Sequence, residues 1–271
     1  MDKITLTFIA LWQIFTCSRI ALKDRWLFCL LYPFQLAVVI LSPKNLKGVS
    51  FLNGSPFYFL GKHYNLLLTH IHCHLNHYLP LYTDAKTVVD VGASFGTFPL
   101  VVNYFEPSAK IYSIEMVEES FKVLQKNCRH LKNTYLFNYA IGKTNSQVNY
   151  SFDPDFPEGG NLGLVKYSRV GTARQITLDD FMAKQNIKAI SLLKIDAEGH
   201  ELPILQSAST ALSISKCVLV ETQFLNNNLI ALLKLLFKSG FYLDRLAAEN
   251  KYSDGRVGSA DLVFKKVSHS P

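Results

Sequence analysis

Apolar and polar positions recur along this chain with two different periods. In residues 117–131 the apolar side chains fall at 117, 121, 124, 128 and 131, which is the spacing of one helix face. From residue 86 onward, short apolar runs typical of strands separate such helical stretches. The amino-terminal part differs, because it contains two longer apolar runs, residues 4–16 and 26–41.

The part of the chain after residue 86 is predicted to be a series of strands joined by helices. Strands are expected at residues 87–92, 110–115, 134–141, 190–195, 216–223, 241–247 and 261–266. Helices are expected at residues 97–105, 117–131, 177–186, 200–212 and 226–238. This order predicts an α/β fold with an open, mostly parallel sheet and helices on both faces. The last two strands are expected to meet around a turn at Asp254 and Gly255.

A β-hairpin is predicted ahead of this series. Asn53 and Gly54 lie between the strand-like runs VSFL and PFYFL, and an Asn-Gly pair supplies the positive φ of a tight turn. We therefore expect a hairpin over residues 47–63. It marks the boundary between an apolar, basic extension, residues 1–45, and a single α/β domain, residues 46–271.

Five histidines fall within residues 63–80, a stretch that is expected to be helical. His70, His74 and His77 have the i, i+4, i+7 spacing of one helix face, and imidazoles so placed could hold a metal ion. A polar helix face accounts for the same pattern, and no carboxylate joins the histidines. The sequence therefore predicts no metal site here.

Charge is unevenly distributed along the chain. The net charge is +7, and residues 1–47 contain six basic side chains against two acidic ones, beside the most apolar segments. Enzymes of nucleic acids usually have their basic patch on the working domain, so anionic lipid is at least as good a partner for this segment. Residues 1–41 are expected to lie on an anionic membrane or on the domain, with a membrane anchor and a cleaved signal as alternatives.

The cysteine pattern favours a cytoplasmic protein. The five cysteines include no CxxC pair. An odd number at irregular spacing argues against a disulfide framework and against a thiolate zinc site.

The stretch VVDVGASFG, residues 88–96, places a glycine-containing loop after the first strand, where ligands of open parallel sheets bind. Glycine is expected there because a bound ligand must approach the backbone closely. The loop is no dinucleotide fingerprint, because position 94 is serine, and no P-loop, because no lysine follows Gly96. Glu115 ends the second strand 25 residues after Asp90, where an acid can accept ribose hydroxyls. A nucleoside without phosphates is therefore expected, and S-adenosylmethionine is such a ligand.

The chain resembles the FkbM family of S-adenosylmethionine-dependent methyltransferases. The matching stretches are VVDVGASFG, IYSIEMVEESFKVLQKN, NYAIG, ITLDDF, ISLLKIDAEGHELPIL and VLVET, which lie within residues 86–224. The resemblance implies a Rossmann-like class I methyltransferase fold, with a mostly parallel seven-stranded sheet in the order 3-2-1-4-5-7-6. It also implies O-methylation, because known members are mostly O-methyltransferases of sugars and natural products.

The family motifs imply a binding site for the cofactor S-adenosyl-L-methionine. The residues carried over are Asp90, Gly92 and Gly96 around the methionine part with Ala93 and Ser94 between them, Glu115 on the ribose, and Met116, Asn138 and Ala140 near the adenine. Two positions depart from the common family pattern. Ser94 stands where the family usually has asparagine, and Met116 stands where it usually has proline.

The run KIDAEGHE, at the end of the fourth strand, contains the catalytic candidates. Asp196, Glu198 and His200 are expected near the transferred methyl group, where they would orient the acceptor or accept its proton. Glu221 could join them from the next strand, and a divalent ion shared by the three carboxylates stays open as an alternative. Residues 153–175, rich in Gly, Pro and Asp, are expected to form a long loop that shapes the acceptor pocket.

The expected acceptor is a small molecule or a glycan, with a lipid-linked sugar and a polyketide hydroxyl also open. A nucleic-acid or protein N-methyltransferase is a rival interpretation. DNA amino-group methylators typically have Asp/Asn-Pro-Pro-aromatic where this chain has DAEG, so no nucleic acid is expected. The other rival is a non-enzymatic, membrane-associated binding module, against which the intact glycine loop argues. The expected location is the cytoplasm, peripheral to a membrane or anchored there.

Overall fold

The computed structural model describes residues 3–42, 46–62, 66–162, 166–224, 228–251 and 257–267 of the 271-residue chain. The helices are α1 (Lys3–Thr16), α2 (Leu22–Leu41), α3 (Leu66–Cys73), α4 (Leu79–Tyr82), α5 (Thr97–Phe105), α6 (Glu118–Cys128), α7 (Leu178–Lys184), α8 (Glu201–Gln206), α9 (Ser209–Ser213) and α10 (Asn228–Lys238). A π-helical turn, His74–Tyr78, joins α3 to α4. The strands are β1 (Lys47–Ser50), β2 (Pro56–Phe59), β3 (Thr87–Val91), β4 (Lys110–Ile114), β5 (Thr134–Phe137), β6 (Ala140–Ile141), β7 (Ser146–Asp153), β8 (Phe156–Asn161), β9 (Arg169–Ile176), β10 (Ile190–Ile195), β11 (Ser215–Gln223), β12 (Phe241–Lys251) and β13 (Val257–Lys266).

Seven strands form the central sheet, in the order β12-β13-β11-β10-β3-β4-β5. The pairings from β11 to β5 are parallel, and β13 is antiparallel to both of its neighbours. Counted within this sheet alone, the order is 3-2-1-4-5-7-6, so the expected fold class is confirmed. Because five strands are parallel, their carboxyl ends meet at one edge of the sheet.

Successive residues of the central strands enter two different cores. In β3, Val88 packs with the helices of one face and Val89 with those of the other, and Leu192 and Leu193 of β10 divide in the same way. All four side chains are fully buried. Strands buried on both faces are continuously apolar, which is why their sequences do not alternate. The helices α1, α2, α3, α5 and α6 cover one face of the sheet, and α7 to α10 cover the other.

The two amino-terminal apolar runs are the helices α1 and α2, and both pack on the rest of the chain. The Gln35 side chain accepts a hydrogen bond from the Ser50 N–H at 2.7 Å, which ties α2 to β1. Side chains of both helices belong to the same core as α3 and α5, namely Ala10, Ile14, Phe28, Tyr32 and Val39. Residues 3–42 thus share a core with the domain that follows them.

The strands β1 and β2 form the expected hairpin. Val49 pairs with Phe57, and Gly54 has a φ of +80°. The Asn53 side chain accepts a hydrogen bond from the Ser55 N–H at 3.1 Å. The Asn-Gly pair therefore makes the turn for the reason expected, since glycine reaches this φ without a steric cost.

A second sheet, in the order β6-β9-β7-β8, corrects the expectation for residues 153–175. Those residues contain β8 and most of β9 instead of a long loop, and the expected strand at 134–141 is divided between the two sheets. The strand β7 was not expected, although its residues Val148, Tyr150 and Phe152 alternate with polar ones. That alternation was the signal for a strand.

Two expected helices are interrupted. The helix at residues 63–80 contains the π-helical turn, which shifts the helical register, so that His77 no longer follows His70 and His74 on one face. The helix at residues 200–212 divides into α8 and α9 at Ser207, whose hydroxyl donates to the Gly142 carbonyl at 2.9 Å. The expected turn at residues 254–255 lies outside the described residues.

Candidate active site

The loop between β3 and α5 packs directly against the end of β10. Gly92 and Gly96 have φ angles of +80° and +90°. A Cβ at position 92 would lie 1.8 Å from the carbonyl oxygen of Asp196. Glycine at this position is therefore required by the neighbouring strand end.

Ser94, at the middle of this loop, also has a left-handed backbone, with a φ of +48°. Among residues with a side chain, asparagine and aspartate adopt this conformation most readily. This preference is a physical reason for the asparagine that the FkbM resemblance implies at this position. The Ser94 N–H donates to Glu115 Oε2 at 2.8 Å, which holds the strained loop against β4.

Glu115 follows β4 and is 7% exposed. Its carboxylate accepts hydrogen bonds from the N–H groups of Ser94, at 2.8 Å, and Val117, at 2.7 Å. Burial raises the pKa of the Glu115 carboxyl to about 7, although the two N–H groups act in the opposite direction. The Asn138 side chain donates to the Glu115 carbonyl at 2.8 Å and the Met116 carbonyl at 3.1 Å, so it supports this segment from behind.

A cavity of about 460 Å³ lies at the carboxyl ends of β3, β4, β10 and β11. The residues expected from the sequence that line it are Gly92, Ala93, Ser94, Glu115, Met116, Ala140, Asp196, Glu198 and His200. Asp90, Gly96 and Asn138 are not part of its lining. Gly160 and Leu162 also line the cavity, so the segment expected to shape the acceptor pocket does reach it.

Lys194 is a charged residue within a buried strand, and its ammonium group is fully paired. Its Nζ lies 3.2 Å from Asp90 Oδ1 and 3.2 Å from Asp196 Oδ2, and it donates to the Gly92 carbonyl at 3.0 Å. Burial opposes its charge, but the two carboxylates raise the pKa of Lys194 above its usual value. Asp90 is completely buried, and its Oδ1 is 3.2 Å from Lys194 Nζ, so that a contact between Asp90 and the methionine part of a ligand stays a prediction.

Three carboxyl groups, those of Asp196, Glu198 and Glu221, meet at the ends of β10 and β11. One oxygen from each lies within 4.8 Å of the others. Burial works against the charge of Asp196, but Lys194 and a hydrogen bond with Glu221 lower the pKa of Asp196 below its usual value. The charge of Asp196, together with burial, raises the pKa of Glu221 well above its usual value. The pair therefore shares one proton near neutral pH.

The family model described as the methyltransferase FkbM domain matches residues 90–243, more than half of the chain. The chain belongs to the FkbM methyltransferase family. The matched range includes the glycine loop, Glu115 and the carboxyl groups of Asp196, Glu198 and Glu221. It is therefore the family domain that forms the glycine loop and the group of three carboxyls.

Two curated methyltransferases are similar to part of this FkbM chain. The hexuronic acid methyltransferase AglP of Haloferax volcanii is 28% identical over 135 residues, which are 49% of this chain and 54% of that protein. Methyltransferase 1 of Beauveria bassiana is 22% identical over 149 residues, which are 46% of this chain and 59% of that protein. The chain thus spans about half the length of the curated relatives it matches.

Solved structures share the fold. A Streptococcus mutans protein described as a SAM-dependent methyltransferase aligns with a TM-score of 0.50 and 11% identity, covering 83% of this chain and 56% of that one. TYW2 of M. jannaschii, solved with AdoMet, aligns with a TM-score of 0.45 and 11% identity, covering 83% of this chain and 89% of that one. At such identities the similarity concerns the fold alone.

S-adenosyl-L-methionine is the cofactor of FkbM methyltransferases, and the residues of this cavity fit it. The volume, about 460 Å³, lies within the range of small-ligand pockets. Each oxygen of the Glu115 carboxylate accepts one N–H, which leaves lone pairs for the hydroxyl groups of a ligand. Met116, Ala140 and Ile141 add apolar surface to the same cavity.

Glu198 has a strained backbone in the middle of the three carboxyl groups. Its φ is +48°, and the following Gly199 has a φ of +94°. The Glu201 carboxylate accepts hydrogen bonds from the N–H groups of Ala197, at 3.1 Å, and Gly199, at 2.8 Å, which holds the loop in this shape. Glu201 is therefore structural. Strain in a residue that is neither glycine nor asparagine is typical of functional sites, which favours a catalytic role for Glu198.

The histidine at the start of α8 fits the chemistry less well. His200 lines the cavity, its ring bonds the backbone of Leu162, and its Nε2 is buried without a hydrogen-bond partner. Burial lowers the pKa of His200 below its usual value, so the imidazole is neutral at pH 7. The structure thus places His200 near the second sheet and outside the group of three carboxyls.

Sequence reasoning missed one wall of the cavity, which lies outside the family match. His70, Cys73, His74 and Tyr78, from α3 and the π-helical turn, line the cavity together with Asp261 of β13. The Tyr78 hydroxyl donates to the Asp261 carboxylate, and burial raises the pKa of Asp261 to about 6. His74 bonds the Tyr82 hydroxyl, and burial lowers the pKa of His74 well below its usual value. The π-helical turn, a frequent mark of functional sites, is not visible in the sequence.

One group of side chains among the described residues has a geometry that could hold a metal ion. Asp196, Glu198 and Glu221 have the required spacing, and no histidine belongs to that group. Carboxylate oxygens are ligands that Mg²⁺ and Ca²⁺ prefer. A divalent cation and the shared proton are alternative ways to offset the same negative charge.

Proposed function

We propose that this FkbM protein transfers a methyl group from S-adenosyl-L-methionine to a hydroxyl oxygen of a sugar, a lipid-linked sugar or a natural product. One observation carries the proposal: Asp196, Glu198 and Glu221 bring their carboxyl groups together in the wall of the cavity. A hydroxyl acceptor must lose its proton during the transfer, and a carboxylate beside it can accept that proton. The similarity to a protein named as a hexuronic acid methyltransferase supports a carbohydrate acceptor.

The glycine loop and the end of β4 bind the cofactor in this proposal. The backbone of residues 92–94 surrounds the methionine part, Glu115 accepts the ribose hydroxyls, and Met116 and Ala140 contact the adenine. Asn138 supports the Glu115 segment from behind the wall. The bound cofactor supplies a methyl group on a positively charged sulfur.

Asp196 is the residue that we assign as the proton acceptor. It lies directly after β10, is ionised through Lys194, and shares a proton with Glu221. As the acceptor oxygen takes the methyl group, Asp196 accepts the hydroxyl proton. The pair then holds two protons and releases one to water, so that charge and protons balance. Glu198, with its strained backbone, orients the acceptor hydroxyl.

The charge of the cavity favours a sugar that has no anionic group beside the reacting hydroxyl, in contrast to the hexuronic acid in the relative's name. Asp196, Glu198, Glu221 and Asp261 contribute carboxyl groups to the wall. Lys194 lines the same wall, but its Nζ lies 3.2 Å from Asp90 Oδ1 and 3.2 Å from Asp196 Oδ2 and donates to the Gly92 carbonyl. A carboxylate or phosphate next to the hydroxyl would therefore meet like charge from these carboxyl groups.

Acceptor screening tests the proposed function. The full chain would be incubated with isotopically labelled S-adenosyl-L-methionine and panels of glycans, lipid-linked sugars and polyketides, and products would be identified by mass spectrometry. Label on oxygen supports the proposal. Label on nitrogen would instead establish an N-methyltransferase, and no cofactor binding by well-folded protein would favour a binding module. If a chelator abolishes the activity, a divalent cation, and not the shared proton, offsets the negative charge of the three carboxyl groups.

The affinity for S-adenosyl-L-methionine is expected to rise roughly tenfold from pH 6 to pH 8, because Glu115 must be ionised to accept the ribose hydroxyls. Burial raises the pKa of Glu115 to about 7, so the free protein has a proton there at lower pH that must leave on binding. Affinity is therefore lost as the pH falls through 7. Calorimetry at pH 6, 7 and 8 measures this. An equal pH dependence in Glu115→Gln would assign it to another group.

Glu198→Gly is expected to lower turnover at least roughly tenfold, because it removes the side chain that orients the acceptor hydroxyl. The unfolding temperature should not fall, because glycine removes the strain of a left-handed residue. Asn186→Gly is the matched control, since Asn186 follows the C-cap of α7, is exposed with a φ of +53°, and is not part of the cavity lining. It should leave turnover unchanged. Thermal unfolding and steady-state rates of both variants provide the measurement. Full turnover in Glu198→Gly would contradict the proposed role of Glu198.

We also propose that the protein works in the cytoplasm, at a membrane surface that residues 1–41 bind. Its five cysteines are all free, as is usual in a reducing compartment. The helix α2 has 20 residues and a mean hydropathy of 1.5, which is long and apolar enough to cross a membrane, although core helices and signal sequences meet the same criteria. A lipid-linked acceptor would be found at such a surface.

A further inference from the structure

The outer side of α1 and α2 is the most apolar surface in the described part of the chain. Among the described residues, 21 large hydrophobic side chains are exposed, and 12 of them lie between residues 8 and 41. We define the apolar face as the following side chains: Phe8, Trp12, Leu22, Trp26, Leu30, Phe34 and Leu41, which are 50–83% exposed. Soluble monomers rarely expose contiguous apolar patches of this kind, and such patches mark sites of interaction with proteins or membranes.

One face of the helix α2 is buried against the domain, and the opposite face is exposed. Asp24, Phe28 and Tyr32 are buried against the domain, and the rings of Phe28 and Tyr32 stack with centroids 4.8 Å apart. Leu41 ends the helix, and the other members of the apolar face in α2 fall between the buried residues, at 22, 26, 30 and 34. An interval of four residues keeps them in one row along the helix. Because the inner row is docked, the outer side of α2, which also exposes Leu27, Leu31, Val38 and Ile40, is available for a partner.

Aromatic contacts join the two helices into one surface. The ring of Phe15 in α1 lies 4.9 Å from Trp26 in α2 and 6.4 Å from Trp12, measured between centroids. Trp12 and Trp26, the two tryptophans of the chain, are 67% and 50% exposed there. Tryptophan is enriched where membranes meet water, because its ring is apolar and its N–H is polar.

The basic side chains at the turn between α1 and α2 differ in exposure: Lys23 is exposed, Arg19 is exposed and lies 3.8 Å from Glu106 Oε1, and Arg25 is half-buried and donates to the Ile20 carbonyl at 2.7 Å. Arg19, Lys23 and Arg25 are at the turn between α1 and α2, and Asp24 is buried, where it accepts from the Tyr104 hydroxyl at 2.7 Å. Residues 26–42 contain no charged side chain. A basic end beside an uncharged apolar row complements a surface with anionic headgroups over an apolar layer.

We propose that the apolar face inserts into one leaflet of an anionic membrane, with α1 and α2 lying in the plane of the surface. This inference rests on the proposed location at a membrane and assigns the residues that bind it. A spanning α2 would have to leave the core, because Phe28 and Tyr32 are 1% exposed and Gln35 bonds Ser50. The in-plane arrangement keeps these contacts and immerses the outer row alone.

Tryptophan fluorescence tests the proposal without a label, because both tryptophans belong to the apolar face. Full-length protein would be titrated with vesicles of phosphatidylcholine, with or without phosphatidylglycerol, and binding would be checked by flotation. We expect a blue shift of the emission and co-flotation with the anionic vesicles, and quenching by lipids brominated near the headgroup. An unchanged spectrum without flotation would overturn the proposal. The proposal would also be overturned if light scattering showed a dimer in the absence of lipid and the tryptophan emission of that dimer were already blue-shifted.

The triple variant Leu30→Ser, Phe34→Ser, Leu41→Ser keeps both tryptophans and should bind anionic vesicles at least about tenfold more weakly, since each side chain would bury apolar area in the membrane. The matched control is Ile230→Ser with Phe237→Ser, on α10 at the opposite face of the sheet, where the side chains are 65% and 51% exposed. It should bind like the wild type. Equal binding by both variants would overturn the assignment, and quenching of the wild type decides the matter if the triple variant fails to fold.

Cofactor affinity measured by calorimetry separates this proposal from the proposed reaction. Protein that binds S-adenosyl-L-methionine and transfers methyl groups but ignores anionic vesicles would contradict the membrane surface alone. Protein that binds vesicles through the apolar face without binding the cofactor would contradict the proposed reaction alone.

Discussion

Asp196→Asn is expected to lower turnover by roughly 10²–10⁴-fold while the affinity for S-adenosyl-L-methionine changes no more than a few-fold. The amide is similar in size to the carboxylate, but it cannot accept the proton that a hydroxyl acceptor loses. It also removes one partner of Lys194, whose other contacts, to Asp90 and the Gly92 carbonyl, remain. Single-turnover rates and calorimetry on the same preparation separate the chemical step from cofactor binding.

Two further variants make this prediction specific. Asp84→Asn is the matched control, because Asp84 is exposed and lies outside the cavity lining, and it should turn over like the wild type. Glu221→Gln should lose less activity than Asp196→Asn, because an amide resembles the protonated carboxyl that Glu221 has near neutral pH. Normal turnover in Asp196→Asn, combined with a large loss in Glu221→Gln, would reverse the assignment of the two residues.

Glu115→Ala should weaken the binding of S-adenosyl-L-methionine by about 10- to 150-fold. Loss of a hydrogen bond to a charged group costs about 1.5–3 kcal/mol, and alanine leaves the ribose hydroxyls without an acceptor. The change also leaves the N–H groups of Ser94 and Val117 without their partner, so the loop after β3 should lose order as well. Calorimetric titration with the cofactor measures the effect.

A loss of folding must be distinguished from a loss of the ribose contact. Glu115→Gln keeps the side-chain volume and one acceptor oxygen, so its affinity should fall between those of the wild type and Glu115→Ala. Glu119→Ala, at an exposed position of α6, is the matched control and should bind normally. Thermal unfolding of all three shows whether they are folded. Wild-type affinity in folded Glu115→Ala would refute the ribose assignment.

The central sheet and the family could be predicted from the sequence because their signals are local. Strands buried on both faces, such as β3 and β10, are short and rich in Val, Leu and Ile. The glycine loop, Glu115 and Asp196 all follow strands. Because parallel strands end at one edge, the sequence already implied that these residues meet there.

The second sheet was harder to predict, because β6 has two residues and β8 has a composition that is typical of a loop. The strand β7 pairs with β9 and β8, and β6 pairs with β9 although β6 has two residues. A segment rich in glycine and proline, such as residues 153–162, becomes a strand when its backbone groups find partners in a neighbouring strand. Its composition alone favours a loop.

Within the site, the sequence determined which residue types stand at the strand ends, and the tertiary structure decided what each one contacts. Asp90 and Glu115 are both acids near strand ends, yet Asp90 is turned to Lys194 behind the wall, and Glu115 lines the cavity. Gly92 is required by the Asp196 carbonyl from another strand. Such contacts join residues about a hundred positions apart, so a local sequence pattern does not predict them.

The sequence by itself determined the α/β class, the glycine loop, the acids at the strand ends and the apolar character of α1 and α2, since each depends on residues adjacent in the chain. Only the tertiary structure decided that α3 and the π-helical turn form a wall of the cavity, with Tyr78 bonded to Asp261. It also decided that α2 is docked along one row and exposed along the other. The physical reason is the same in both cases, because burial and pairing of a side chain depend on which distant segment packs against it.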